Sequence, residues 1–116
     1  CIPGVFIPVK MGDRLLLDGG ILEPVPISPL MEMGAETTIG VNLFARRSYH
    51  KPSNVADLLI NALDMMMVHI ARLQLQAADL VVEPDLDKFN LVDTRQVPKL
   101  IEIGYAAAKE AFEGVV

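Results

Sequence analysis

The apolar positions change their spacing several times along the chain, and each change marks an element. Residues 1–35 are interrupted throughout by Pro and Gly. Within them Arg14-Leu15-Leu16-Leu17 is a short apolar run that stops at Asp18-Gly19-Gly20, and Ile21-Leu22-Glu23-Pro24-Val25-Pro26 follows. Apolar runs bounded by Gly and Pro predict short strands and turns. Two prolines cannot donate ladder hydrogen bonds, so residues 21–27 are expected at a sheet edge or as an irregular connection. Ser28-Pro29 predicts the start of a short helix, with Ser28 as the cap and Pro29 in the first position. Gly34 suits a left-handed end to it.

Thr37-Thr38-Ile39-Gly40-Val41-Asn42-Leu43 is β-branched and nearly continuous in apolar content, the pattern of a strand buried on both faces. Residues 45–52 are polar and basic and predict a loop. Residues 54–78 carry the strongest helical signal. Val55, Leu58, Leu59, Ala62, Leu63, Met66, Ile70, Leu73 and Ala77 follow three- and four-residue steps, with Asp57, Asn61, Asp64, Arg72, Gln76 and Asp79 roughly opposite. Met65, Met67 and Val68 widen the apolar stripe, so this helix is expected to be more than half covered. Ser53 after Pro52 is the expected N-cap. Leu80-Val81-Val82-Glu83 predicts a short buried strand stopped by Pro84. Residues 85–94 form a polar loop holding Phe89 and Leu91. A last helix is expected from about residue 98 to 112, with Leu100, Ile101, Gly104, Ala107, Ala108, Ala111 and Phe112 turned inward.

Strands alternating with helices predict an α/β fold with a mostly parallel sheet, covered by helices on both faces. Two long helices and three or four strands fall short of a complete doubly wound domain. The composition agrees with that shortfall. Of 116 residues 52% are hydrophobic, and the mean hydropathy is +0.38. A small chain has much surface per volume and needs polar residues to cover it. Part of the apolar surface is therefore expected to meet a partner or missing sequence. The start, Cys1-Ile2-Pro3-Gly4-Val5-Phe6, has no Met and no signal-peptide pattern, and reads as the middle of a longer polypeptide. A targeting signal would lie upstream, so the compartment stays open.

Charge and cysteine content remove several function classes. With 10 Lys+Arg against 15 Asp+Glu the net charge is −5, which argues against nucleic acid as a partner. Cys1 is the only cysteine, which excludes an internal disulfide and Cys-rich zinc sites. No metal or cofactor is expected. No uninterrupted run of about 18 apolar residues exists, so no transmembrane helix is expected.

Asp18-Gly19-Gly20 is the candidate for chemistry. An Asp at the end of an apolar strand, followed by two glycines, sits where open α/β sheets place ligands. Gly19 and Gly20 would let the backbone turn sharply and approach another group. Asp-Gly is equally a tight-hairpin signal.

The neighbourhood of the tripeptide adds to this. The stretch from Ile2-Pro3-Gly4-Val5-Phe6 through Asp18-Gly19-Gly20, Pro24-Val25-Pro26 and Met33-Gly34-Ala35-Glu36-Thr37-Thr38-Ile39-Gly40-Val41 resembles the second half of the bacterial patatin-like phospholipases. The likeness returns in Ala78-Asp79-Leu80-Val81-Val82-Glu83-Pro84 and in Leu100-Ile101-Glu102-Ile103-Gly104-Tyr105-Ala106-Ala107-Ala108. The resemblance implies a three-layer α/β domain of which residues 1–116 are the C-terminal portion. It implies hydrolysis of lipid acyl esters by a Ser–Asp dyad in which Asp18 is the base, with Gly19 and Gly20 shaping the backbone around it. A serine hydroxyl is a poor nucleophile until a base takes its proton, and in a dyad the carboxylate does so directly. The family's serine stands in a Gly-x-Ser-x-Gly elbow, and backbone N–H groups of a glycine-rich loop hold the oxyanion.

The chain departs from that pattern in two respects that matter. Its serines are Ser28, Ser48 and Ser53, none in a Gly-x-Ser-x-Gly, and no glycine-rich oxyanion loop is present. It is expected to carry the base without the nucleophile and to be inert alone. His50 and His69 read as a loop residue and a helix-flank residue. Residues 65–67, three methionines, read as core filling or as the lining of an acyl-chain pocket. Arg46, Arg47 and Lys51 form a small basic patch, either solvated or in peripheral contact with anionic lipid headgroups at a membrane surface. The expected partners are a lipid or ester substrate and the missing N-terminal half of the domain or a second copy, met through residues 39–43 and 65–68. The alternative is a non-catalytic α/β module that self-associates or binds a partner through the same surface.

Overall fold

The computed structural model describes residues 6–45, 51–89 and 93–114. The chain folds as α/β. Strands β1 (Val9–Met11) and β2 (Arg14–Leu16) form an antiparallel hairpin. A 3-10 turn spans Gly19–Ile21, and helix α1 spans Ile27–Glu32. Strand β3 (Ile39–Val41), helix α2 (Val55–Leu75) and strand β4 (Leu80–Val82) follow, then helix α3 (Val97–Glu113).

The hairpin turns at Gly12-Asp13, where Gly12 has φ +60°. A two-residue loop with glycine first at positive φ matches the twist of paired strands. The hairpin signal therefore belongs to Gly12-Asp13 and not to Asp18-Gly19. Strands β3 and β4 pair in parallel, in the register Ile39↔Leu80, Gly40↔Val81 and Val41↔Val82. Parallel neighbours need a long crossover, and α2 is that crossover. By length and composition α2 is the one described helix that could cross a membrane. Counting only uninterrupted apolar residues had set that possibility aside. Its place between two paired strands, with Ala71 and Leu75 in the core, is that of a crossover helix.

Val25, Ile27, Ala71 and Leu75 form the core, with Phe44, Ala78 and Val81 packed against it. Gly40 is essential to this cluster. A Cβ at that position would overlap Leu75 Cδ2 and lie in ordinary contact with Ile27 Cδ1 and Val25 Cγ1. The parallel pair is fastened at both ends by side chains. At one end Asp79 Oδ2 accepts hydrogen bonds from the Thr38 N–H at 2.7 Å and the Thr38 hydroxyl at 3.1 Å. At the other, Asn42 Nδ2 donates to Glu83 Oε1 at 2.7 Å, and Asn42 Oδ1 accepts from the Phe44 N–H at 3.0 Å. Thr38 and Asn42 are 3% and 2% exposed.

Several expectations change. Strand β3 alternates: Gly40 is buried, but Ile39 and Val41 are 45% and 50% exposed, so their face is only partly covered. Helix α2 is capped by Asn54, whose Oδ1 accepts from the Asp57 N–H at 2.8 Å. Ser53 stands one residue further out, with its hydroxyl and N–H directed at Asp57 Oδ2. The helix ends at Leu75, so Asp79 is free to reach Thr38. It is not more than half covered: only Ala71 and Leu75 are buried. Ser28 lies inside α1, whose cap position is Pro26. Gly34 does close that helix, at φ +93°. Ile101 and Phe112 of α3 are exposed.

The surface is large for the mass. The chain exposes 9070 Å², whereas a folded monomer of 12.7 kDa exposes about 6,200 Å². Its radius of gyration is 16.2 Å, against about 13 Å for a compact domain of this length.

Candidate functional site

Asp18 follows β2 by two residues, with extended backbone at φ −70° and ψ 121°. Its Oδ1 accepts a hydrogen bond from the Gly20 N–H at 3.0 Å. The carboxylate thereby caps the 3-10 turn that begins at Gly19, a common use of Asp ahead of a helical turn. The turn is closed by the Leu22 N–H and Glu23 N–H donating to Gly19 O at 3.2 and 2.9 Å. Asp18 is half-buried. Among the described residues its Oδ2 accepts no hydrogen bond.

The two glycines differ in their function. Neither has positive φ, so the turn does not depend on left-handed backbone. Gly19 has open space where a Cβ would stand. Gly20 does not: a Cβ there would lie 3.2 Å from Asp18 Oδ1 and 3.3 Å from Met67 Cε. Any side chain at Gly20 would press on the carboxylate itself.

Helix α2 forms the wall behind the turn. Met67 meets Gly20, and two helical turns later the Gln74 amide reaches the segment leaving it. Gln74 Nε2 donates to Leu22 O and Glu23 Oε2, each at 3.2 Å. Gln74 Oε1 accepts from the Val25 N–H at 3.1 Å. Sequence reasoning missed Gln74. The available signal was a polar residue at the i+3 position from Ala71 and i+7 from Met67, on a face that is otherwise apolar.

Asp18, Gly19 and Gly20 thus share one turn, as the sequence predicts. Their setting differs, because β2 belongs to the antiparallel hairpin and not to the parallel pair. His69 is exposed on α2, and His50, Ser48, Arg46 and Arg47 lie outside the described residues. Met65 and Met66 are exposed rather than packed in a core. Ser28 and Ser53 sit at helix starts.

Three carboxylates away from the turn have ionisation shifted by hydrogen bonds. The Thr38 backbone N–H, with the Thr38 hydroxyl, holds Asp79 below the ordinary carboxylate range. The Ser53 hydroxyl and N–H do the same for Asp57. Arg95, paired with both oxygens of Asp93 at 2.8 and 2.9 Å, lowers Asp93. All three serve the scaffold.

No protein-family profile matches the chain. It is similar to an uncharacterized NTE family protein of Mycobacterium bovis, 50% identical over 42 residues, which are 36% of this chain and 12% of that protein. It is also similar to another uncharacterized NTE family protein, of Mycobacterium tuberculosis, 25% identical over 139 aligned positions that take in 97% of this chain. The chain spans 24% of the length of that second relative and its match 12% of the first. Both relatives carry the NTE family name. The likeness to NTE family proteins is distant over the whole chain and closer over 42 residues.

Proposed function

We propose that this chain is the C-terminal portion of a patatin-like serine hydrolase domain that cleaves lipid acyl esters, and that Asp18 is its base. The observation that carries the reading is the geometry of one carboxylate. Asp18 is half-buried and held through Oδ1 by the Gly20 N–H, while its other oxygen accepts no hydrogen bond from the described residues. A carboxylate fixed in this way presents Oδ2 to a hydroxyl brought by another segment. The serine would come from a Gly-x-Ser-x-Gly elbow outside this chain. Its proton would pass to Asp18 as the hydroxyl oxygen attacks the ester carbonyl. The oxyanion donors would likewise come from outside.

The large exposed surface supports a body completed by further chain. So do the mycobacterial relatives, which extend well beyond the matched region. The test is to express the chain together with the sequence preceding it in its gene and replace Asp18→Asn. Hydrolysis of a short-chain nitrophenyl ester should fall by at least about 10²-fold, with the thermal melt preserved. Activity within a few-fold of the parent rejects the assignment.

A further inference from the structure

We infer that Gln74 is a positioning residue that fixes the Asp18 turn. The inference rests on the reading of Asp18 as the base. A primary amide offers two N–H donors and one carbonyl acceptor in a single plane. All of these are engaged on the turn's exit: two donations, to Leu22 O and Glu23 Oε2, and one acceptance, from the Val25 N–H. These contacts join residues 49 to 52 positions apart in sequence, so local chain geometry does not supply them. Met67 stands against the middle of the turn, its Cε 3.3 Å from where a Cβ on Gly20 would lie. Between the two lies Ala71, fully buried at 0% exposure. Residues 67, 71 and 74 share one face of α2, so a single rigid helix backs both the middle of the 3-10 segment and the stretch that leaves it. The Val25 N–H would otherwise have no partner on a segment whose proline neighbours, Pro24 and Pro26, cannot donate. A general base must be held to within about 0.5 Å of its productive place, and this grip sets the place of Asp18.

Gln74 does not touch the reacting atoms, so its loss should lower kcat and leave KM nearly unchanged. The chain expressed with its preceding sequence, assayed on a short-chain nitrophenyl ester, provides the measurement. Gln74→Ala should reduce kcat by about 10–100-fold, the scale of a displacement near 1 Å, with KM within about threefold. Gln74→Glu keeps the length and the acceptor for Val25 but sets a carboxylate against Glu23 and Leu22 O. It should be weakest near pH 8 and recover as the pH falls toward 5. Adding Glu23→Gln should restore a donor and recover activity severalfold at pH 8. Gln74→Glu also serves if Gln74→Ala does not fold. Amide exchange gives a readout independent of catalysis: the Gly20 and Val25 amides should exchange at least tenfold faster in Gln74→Ala. Parent-like kcat in Gln74→Ala beside an inactive Asp18→Asn overturns the positioning role alone, as does unchanged exchange at Gly20. An active Asp18→Asn removes the base assignment instead.

Discussion

Leu75 occupies the space that a side chain on Gly40 would need. Helix α2 approaches the parallel pair closely because β3 has no Cβ at that one position. Gly40→Ala should therefore destabilise the chain by about 1–3 kcal/mol, the usual cost of overpacking. Leu75→Ala alone should cost about 2–5 kcal/mol as a buried large-to-small change. Combined, they should cost less than their sum, since each relieves the other. Urea unfolding of the two single variants and the double variant checks this; strict additivity would show that the contact does not limit the packing.

Asp79 makes stability depend on acid. Its folded carboxyl ionises below the ordinary value because the Thr38 N–H and hydroxyl bind the charged form. A depressed folded pKa gives stability that is complete above the unfolded value, near 3.8, and lost as the pH falls through the folded one. Asp79→Asn should lower the melting temperature at pH 7 and flatten the acid limb of the melting curve. A variant whose acid limb matches the parent's would place the Asp79–Thr38 contact outside the folded state in solution.

Asn42 is a buried amide with both ends engaged, toward Glu83 and the Phe44 N–H. Asn42→Ala should cost about 1–3 kcal/mol by leaving a donor and an acceptor unmatched. Asn42→Asp keeps the acceptor for Phe44 but faces Glu83 with like charge. Its defect should be larger at pH 7 than at pH 4, where the pair can hold a proton. A defect independent of pH would contradict the Asn42–Glu83 contact.

The chain by itself should hydrolyse no nitrophenyl ester. It should bind the dye ANS and sediment as more than a monomer at micromolar concentration. Exposed Ile39, Val41, Leu58, Leu59 and Met66 motivate this, since exposed apolar surface drives association where it is contiguous. A monomer with a cooperative melt and no dye binding would mean that the fold closes without further chain.

Periodicity was enough to find α2, α3 and the paired strands at Ile39 and Leu80, because each carries many residues of one spacing. It failed where a single contact decides. The cap of α2 fell to Asn54 rather than Ser53, since both can accept from a first-turn N–H. Strand β3 reads as buried on both faces because Ile39 and Val41 are as apolar as a covered strand requires; the sequence cannot say whether the cover lies within the chain. Asp18 stands out through its motif, yet Gln74, which binds the segment leaving the Asp18 turn, is hidden because a glutamine on a helix flank looks solvated. Its partners are a backbone carbonyl, a backbone N–H and a carboxylate about 50 positions away, and no local pattern records them.

The β1–β2 hairpin is exposed along both strands, and a lone two-stranded hairpin is marginal in water. It therefore opens without disturbing the core around Ile27 and Ala71. Proteases read such openings directly. Lys10 and Arg14 lie in that hairpin, so trypsin should nick the chain there. The product of a cut after Arg14 retains Asp18, its capped turn and the Gln74 contacts, with the carboxylate on the fourth residue from a new amino terminus.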